Sequence, residues 1–506
     1  MSRTRKFLGG ISFGYLNQFL VALAGLWLTP FLLKMIGQST YGLWLVATQI
    51  MAYLLLMDLG VIAILPREVA YLFARSGLEN DWNELGRLLG TTKKIVLAQT
   101  PLVALASLAI WFLMPADWEP LRYPLAAVLC AFVILFPFRI FHGVLQGVQD
   151  LAFLARLQIV GWALGLIVTV LLVLAGFGLY ALAIGWIAGQ VLSSFFWWFR
   201  TRRSFQRLSF RTNLDGWEMA RSQLGRGIWV NINQIGQILL SGADILIIGK
   251  LFGPAAVVPY VCTGKLANVL ANQPQLLIHT AGPALAEMRA VAARERLAEI
   301  CTALSQGVLM ISGLLFAVVL SVNDDFVRLW VGPNLYAGFG VTICILLAMM
   351  VRHWNVTVAY TVFTFGHERR LAVTGLADGV VTFVAAIALI RTLGIIGAPI
   401  GSLIGVCLVS LPANLLALGR DTGVTLSKTL RELWPWFIRF VFVAAAAAAM
   451  PGVFNATNLL EVALICAGVS IVYGLLMFSI AIRSPLGEFF LERLPARYSQ
   501  VLRSLA

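Results

Sequence analysis

Charge is what this sequence has least of. Asp, Glu, Lys and Arg make up only 12% of its 506 residues, roughly half the share of a soluble globular protein. Acids are the scarcer sign, 23 Asp and Glu against 37 Lys and Arg. Histidine is down to four residues. So thin a polar supply excludes a soluble enzyme first. The six cysteines, Cys130, Cys262, Cys301, Cys344, Cys407 and Cys466, stand singly in apolar runs. They show neither metal-ligand spacing nor a disulfide framework and read as small packing residues. No metal and no cofactor is expected. Long extramembrane loops are also missing, which argues against a membrane glycosyltransferase or ligase, since such an enzyme needs an acidic or His-rich loop outside the bilayer.

What is present is apolar length. The hydrophobic share is 60% and the mean hydropathy +0.88. Runs of about 20 apolar residues, enough to cross a hydrocarbon core, recur from end to end. We read about fourteen spans, at 8–34, 41–66, 90–114, 122–145, 152–175, 178–199, 222–249, 254–284, 300–321, 337–364, 370–391, 394–418, 433–453 and 458–482. The fold class is an all-α polytopic membrane protein. The segment Met1–Lys6 leads into a run too long for a signal-peptide core, so no cleavable signal is expected. The net charge of +14 does not call for nucleic acid. Most of the basic residues sit in alternate loops, around Arg67–Lys94, Arg200–Arg211, Arg289–Arg296, Arg369–Arg370 and Arg420–Arg431. Those loops should be cytoplasmic, and both termini with them.

The chain also repeats itself. A shift of 216 positions carries Gly9 onto Gly225, Asn17-Gln18 onto Asn233-Gln234, Lys34 onto Lys250 and Gly37 onto Gly253. A shift of 219 carries Gly147 onto Gly366 and Gly178 onto Gly397. Glycines, amides and lysines are costly in apolar helices, so their recurrence weighs more than matching leucines would. Six helices per half make the repeat parallel, and such symmetry points to a transporter whose site lies between its repeats. The expected organisation is a six-helix lobe over 1–200, a basic cytoplasmic connector over 201–221, a second six-helix lobe over 222–420, two further helices over 432–483 and an interfacial tail over 484–506.

Two motifs carry a family resemblance. They are Gly37-Gln-Ser-Thr-Tyr-Gly-Leu-Trp44 with Tyr53-Leu-Leu-Leu-Met-Asp-Leu-Gly60, and Phe326-Val-Arg-Leu-Trp-Val-Gly332 with Leu393-Gly-Ile-Ile-Gly397. With the span number, they resemble the polysaccharide transporter branch of the multidrug/oligosaccharidyl-lipid/polysaccharide exporter superfamily, the O-antigen and exopolysaccharide lipid flippases. The resemblance implies two six-helix lobes around a cavity, and we expect spans one, two, seven and eight to line the cleft. It implies alternating access in a bacterial inner membrane and an undecaprenyl-pyrophosphate-linked oligosaccharide as cargo. Membrane lipids, a coupling cation (H+ or Na+), and polysaccharide polymerase and chain-length proteins would be the partners. The alternative within the superfamily is a cation-coupled multidrug exporter, whose cationic cargo would prefer an acidic cavity.

Ionisable residues at membrane depth are the candidates for function, because a charge at the bilayer centre costs about 2.5–3.5 kcal/mol on insertion scales. Arg352 and His353 fall midway along the tenth span and Lys265 early in the eighth. A basic cavity would suit a pyrophosphate, which Arg grips with a planar fork. Equally, Arg352 or Lys265 can pair with Asp244 or Asp378 and pin the lobe. Arg139 and His142, near the cytoplasmic end of the fourth span, can meet an entering phosphate or snorkel to the headgroups. Asp58, Asp244 and Asp378 are candidates for ion coupling, Asp58 having local packing beside Gly60 as its other reading. His279 reads as a core histidine. Asn17, Gln18, Asn233 and Gln234 can bind sugar hydroxyls or lock helix against helix.

Overall fold

The computed structural model describes residues 3–79, 81–204, 217–271, 274, 294–364, 368–423, 426–482 and 486–487, with backbone alone for 3–19. The expectations for the connector between 205 and 216, for most of the tail, for His279, for Gly366 and for the side chains of Asn17 and Gln18 lie outside the described residues. The helices, in chain order, are α1 Arg3–Ile36, α2 Gln38–Leu54, α3 Val61–Glu79, α4 Asn83–Phe112, α5 Arg122–Leu135, α6 Arg139–Gly147, α7 Leu151–Leu174, α8 Leu179–Ser204 and α9 Trp217–Leu251. They continue with α10 Pro254–Thr263, α11 Lys265–Leu270, α12 Arg294–Val331, α13 Phe339–Thr364, α14 Glu368–Leu393, α15 Gly397–Gly405, α16 Leu411–Thr422, α17 Leu426–Ala449 and α18 Leu459–Ala481. No strand occurs among the described residues. A helix satisfies its own backbone hydrogen bonds, which is why it is the form such apolar runs take in lipid.

Ten of the described stretches are long and apolar enough to cross a membrane, or eleven if the bent α9 counts as one span. One of the ten, Arg369–Thr422, is 54 residues long and turns back on itself at Gly394, whose φ is +75°. Leu20–Ile36 and Pro254–Thr263 are shorter apolar helices. Among the described residues each span read from the sequence overlaps a helix, the eighth only as far as Leu270, and the chain is a multi-pass membrane protein. By contact it divides into two units, Met1–Ile238 with Gly249–Val258, and Leu239–Ile248 with Pro259–Ala506, so that α9 contributes to both.

In the first unit, α7 and α8 pack through small residues. A Cβ added at Gly165 would lie 2.8 Å from the Gly185 carbonyl oxygen, and one at Gly189 would lie 2.8 Å from that of Gly161. Gly161-xxx-Gly165 on one helix thus faces Gly185-xxx-Gly189 on the other, the close approach that small residues permit in lipid. The repeat shows at the ends of the long helices: Gly37 after α1 and Gly253 after α9 have φ of 82° and 84°. Both turn the chain into the next helix, α2 or α10. Gln38 Nε2 donates to the Ala255 carbonyl at 2.8 Å. Gly42 meets the Pro254 carbonyl so closely that a Cβ there would overlap it. The second glycine pair does not share a conformation. Gly178 has φ +55°, whereas Gly397 is helical and presses on the backbone at Leu389.

The second unit is built around α12. Its Phe316 and Leu320 are buried against Trp436, Phe440 and Val443 of α17 and Tyr473, Met477 and Ile480 of α18. The Tyr473 hydroxyl donates to the Met310 carbonyl at 2.8 Å and sits where Gly313 leaves room. The last two helices are thus packed into this unit.

Candidate functional site

The span read as continuous over 41–66 is broken, and the break carries the first polar site. α2 ends at Leu54, a short 3-10 turn covers Leu55–Asp58, and Leu59 and Gly60 take φ of 50° and 73° before α3 begins. The Asp58 carboxylate stabilises that break by accepting from the Gly60 backbone N–H at 2.8 Å. Gln99 of α4 donates to the Asp58 carbonyl at 3.1 Å. Gly60 is required twice over, by its φ and because a Cβ would overlap the Gly227 carbonyl oxygen. The other Asp58 oxygen lies 3.1 Å from Arg139 Nη2. Asp58 is buried, while the Arg139 side chain keeps 25% of its exposure.

Arg139 opens α6, just past a second break, the 3-10 turn Phe136–Phe138. Its guanidinium carbon lies 5.7 Å from the centroid of the Phe136 ring. One nitrogen, Nη1, is buried without a hydrogen-bond partner. Arg139 lines a cavity of about 450 Å³. Through His142, Trp186, Gln190 and Trp197 this cavity adjoins a larger one of about 790 Å³ between α1, α6, α7 and α8. His142 lies against Trp197, with ring centroids 4.8 Å apart.

The second polar site is a closed node. Arg352 on α13 donates from Nε to Ser402 Oγ at 2.8 Å and from Nη2 to the Ser402 carbonyl at 3.0 Å and to Thr382 Oγ1 at 3.3 Å. Its Nη1 lies 3.3 Å from the carboxylate of Asp378, which is 1% exposed. Ser410 Oγ donates to Asp378 at 2.5 Å and Thr382 Oγ1 at 3.1 Å. A π-helical turn over Val406–Ser410 follows α15 and brings Ser410 to the acid. Gly405 completes the fit, since a Cβ there would overlap Thr382 Oγ1 and Asp378 Oδ1.

A family model described as "Polysaccharide biosynthesis protein" matches residues 122–334. No curated protein matches the chain. Among solved structures, the lipid II flippase MurJ in its inward closed conformation is 13% identical, with a TM-score of 0.66 over 94% of this chain and 100% of that one. An inward-facing multidrug resistance transporter of the MATE family and MOP superfamily is 14% identical, with a TM-score of 0.54 over 77% and 94% of the two chains. A Vibrio cholerae MATE transporter is 14% identical, with a TM-score of 0.53 over 85% and 98%. At such identities the likeness speaks for the fold. The family model covers less than half of the chain.

The candidate residues separate into three kinds. Asp58 with Arg139, and Asp378 with Arg352, are ion pairs. Asp244 accepts from the Tyr260 hydroxyl at 2.7 Å, and His353 is buried with Nδ1 2.8 Å from Ser312 Oγ. Lys265, half-buried at the start of α11, has no acidic partner among the described residues. On α9, Asn233 is exposed and Gln234 half-buried. Sequence reasoning offered Asp378 to Arg352 but missed the bond between Asp58 and Arg139. Matching depths at the same ends of the second and fourth spans were the available signal. It also missed Gln146, Gln158 and Gln190, which line the larger cavity. Amides inside apolar spans, even ones absent from the repeat, could have marked them.

Proposed function

We propose that the protein is a flippase that moves an undecaprenyl-pyrophosphate-linked oligosaccharide across a bacterial cytoplasmic membrane by alternating access, with both termini cytoplasmic. The observation that carries this reading is Arg139. Its Nη2 is anchored on Asp58, its Nη1 lacks a partner, and it lines a cavity. A guanidinium held by one edge offers its remaining donors to a phosphate oxygen, and a low-dielectric wall strengthens that bond. Lys265, without an acidic partner among the described residues, is a separate basic candidate in the second unit. Arg352 and His353 are assigned to structure, because their polar atoms already meet Ser402, Asp378, Thr382 and Ser312.

Ion coupling falls to Asp58 before Asp244 or Asp378. A proton or cation that takes the Asp58 carboxylate releases Arg139 to the cargo, whereas neither of the other two acids borders a basic group that lines either of the two cavities. The protein makes and breaks no bond in this scheme. It conducts the headgroup while the lipid tail stays in the bilayer. Polymerase and chain-length proteins would act on the delivered unit.

The test is genetic and chemical together. A strain lacking the protein should lose surface glycan and accumulate the lipid-linked unit on the inner leaflet, and the wild-type chain should restore both. Arg139→Lys should restore part and Arg139→Ala little, each read per copy of protein in the membrane, because Arg139→Ala also leaves the buried Asp58 without its counter-charge and should lower abundance. Full rescue by Arg139→Ala would remove Arg139 from cargo binding. A deletion strain with normal surface glycan and no accumulated intermediate would end the flippase reading.

A further inference from the structure

We propose that the larger cavity of the first unit is a saccharide-binding subsite, taking neutral sugar rings of the cargo while Arg139 holds its phosphate. The proposal rests on the flippase reading for the identity of the cargo but not for the binding chemistry.

The lining residues carry it. Gln146 on α6, Gln158 on α7 and Gln190 on α8 border the same space of about 790 Å³. Their side chains make no hydrogen bond to any described residue. Gln146 and Gln158 are exposed and Gln190 half-buried, so these amides open onto this space, where at membrane depth a polar ligand is a partner that lipid cannot supply. Three such amides from three helices do not form a helix-to-helix lock, since none of them bonds to another. A carboxamide has one acceptor and two donors in one plane, which matches the paired hydroxyls on a pyranose edge. Trp162, Trp186 and Trp197 border the same space and are half-buried. Their broad apolar faces, with a polar N–H at one edge, suit the C–H face of a sugar ring.

What is missing narrows the ligand class. Among the lining residues there is no Asp, Glu, Lys or Arg, and His142 is the one titratable group. A charged ligand would find no counter-ion there, and an acyl chain would leave all three amides unsatisfied. The volume lies within the roughly 300–1,000 Å³ of pockets that enclose small ligands, enough for a short oligosaccharide. The cavity also adjoins the one lined by Arg139, sharing Gln190, Trp186, Trp197 and His142 with it. A sugar in the larger space and a phosphate at Arg139 therefore lie along one path, as they must if they belong to one molecule.

The experiment uses the full chain, purified and held in lipid nanodiscs. The probes are maltose, cellobiose, N,N′-diacetylchitobiose and the oligosaccharide released by mild hydrolysis of the host's own surface polysaccharide. Tryptophan fluorescence and saturation-transfer NMR report binding. At least one probe should bind in the millimolar range. Gln158→Leu and Gln190→Leu should each weaken it by about tenfold, the loss of one hydrogen bond to an unpaired group. Should a leucine variant fail to fold, Gln158→Asn, which keeps the amide but shortens its reach, must show a smaller loss in the same direction. Silence from every probe, or binding unchanged in both leucine variants, overturns the subsite; so does an acyl chain that co-purifies in the cavity and that no saccharide displaces. Saccharide binding in a protein whose deletion leaves surface glycan intact would keep the subsite and sink the flippase reading, so the two failures are distinguishable.

Discussion

A guanidinium inside a membrane-spanning helix must direct five N–H donors somewhere other than lipid. Arg352 directs its donors to Ser402, Thr382 and Asp378, and this decides how its variants should behave. Arg352→Ala leaves Asp378 buried without its counter-charge, a change that costs about 3–5 kcal/mol for a buried pair. We expect a large fall in thermal midpoint and in membrane abundance for the alanine variant. Arg352→Lys, which keeps the charge but not the fork, should fall less. Removing both charges, as Arg352→Leu with Asp378→Asn, should recover part of the loss. A purified Arg352→Ala protein that melts like the wild type would contradict the node's role. Asp58 behaves differently because its substitute can keep the local bond: in Asp58→Asn the amide oxygen still accepts from the Gly60 N–H. Membrane abundance should therefore stay near wild type, while any dependence of transport on the coupling ion disappears. A variant that keeps that dependence would take coupling away from Asp58. The sequence made one of these pairs legible, because Arg352 and Asp378 are both charges near mid-span and had few other choices. The bond between Asp58 and Arg139 was hidden, because Asp58 already had a plausible local partner in Gly60.

At the scale of helices, hydropathy located the spans but not the interruptions within them. The 3-10 turns at Leu55–Asp58 and Phe136–Phe138 and the π turn at Val406–Ser410 are mostly apolar, with Asp58, Pro137 and Ser410 the exceptions. Periodicity could not mark them, yet each places a side chain of the two polar sites: Asp58, Arg139 or Ser410. Close packing was equally hidden, since a glycine in a span reads alike whether it faces lipid or another helix. Gly185 is the sharpest case. A Cβ there would lie 2.0 Å from Thr169 Oγ1 and 2.7 Å from the Gly165 carbonyl oxygen. Gly185→Ala should push α7 and α8 apart at a cost of about 1–3 kcal/mol, the usual range for overpacking. Adding Thr169→Ala should recover only part of it, because the clash with the backbone remains. Melting of the single and double variants in detergent checks this, and an unchanged single variant would show that the two helices separate freely.

For the whole chain, the repeat legible in the sequence has a physical counterpart in the matched positive φ of Gly37 and Gly253. It fades at Gly178 and Gly397, where the same residue serves a turn in one half and a tight helix contact in the other. Outside the repeat stand α17 and α18, and their burial against α12 suggests at first that the second unit needs them. In lipid, however, helix association gains no hydrophobic driving force, because the tails are as apolar as the side chains they replace. Truncation after Gly423 would therefore cost packing at Phe316 and Leu320 and the hydrogen bond from Tyr473 to Met310, rather than expose apolar surface to water. The truncated chain should still insert into the membrane. Its thermal midpoint should be lower, and the cavities of the first unit, which no residue of α17 or α18 lines, should be unchanged. Membrane fractionation, melting and the saccharide titration read these three outcomes separately. Loss of saccharide binding with insertion intact would show that the last two helices support the first unit from a distance, an influence that their packing on α12 does not account for.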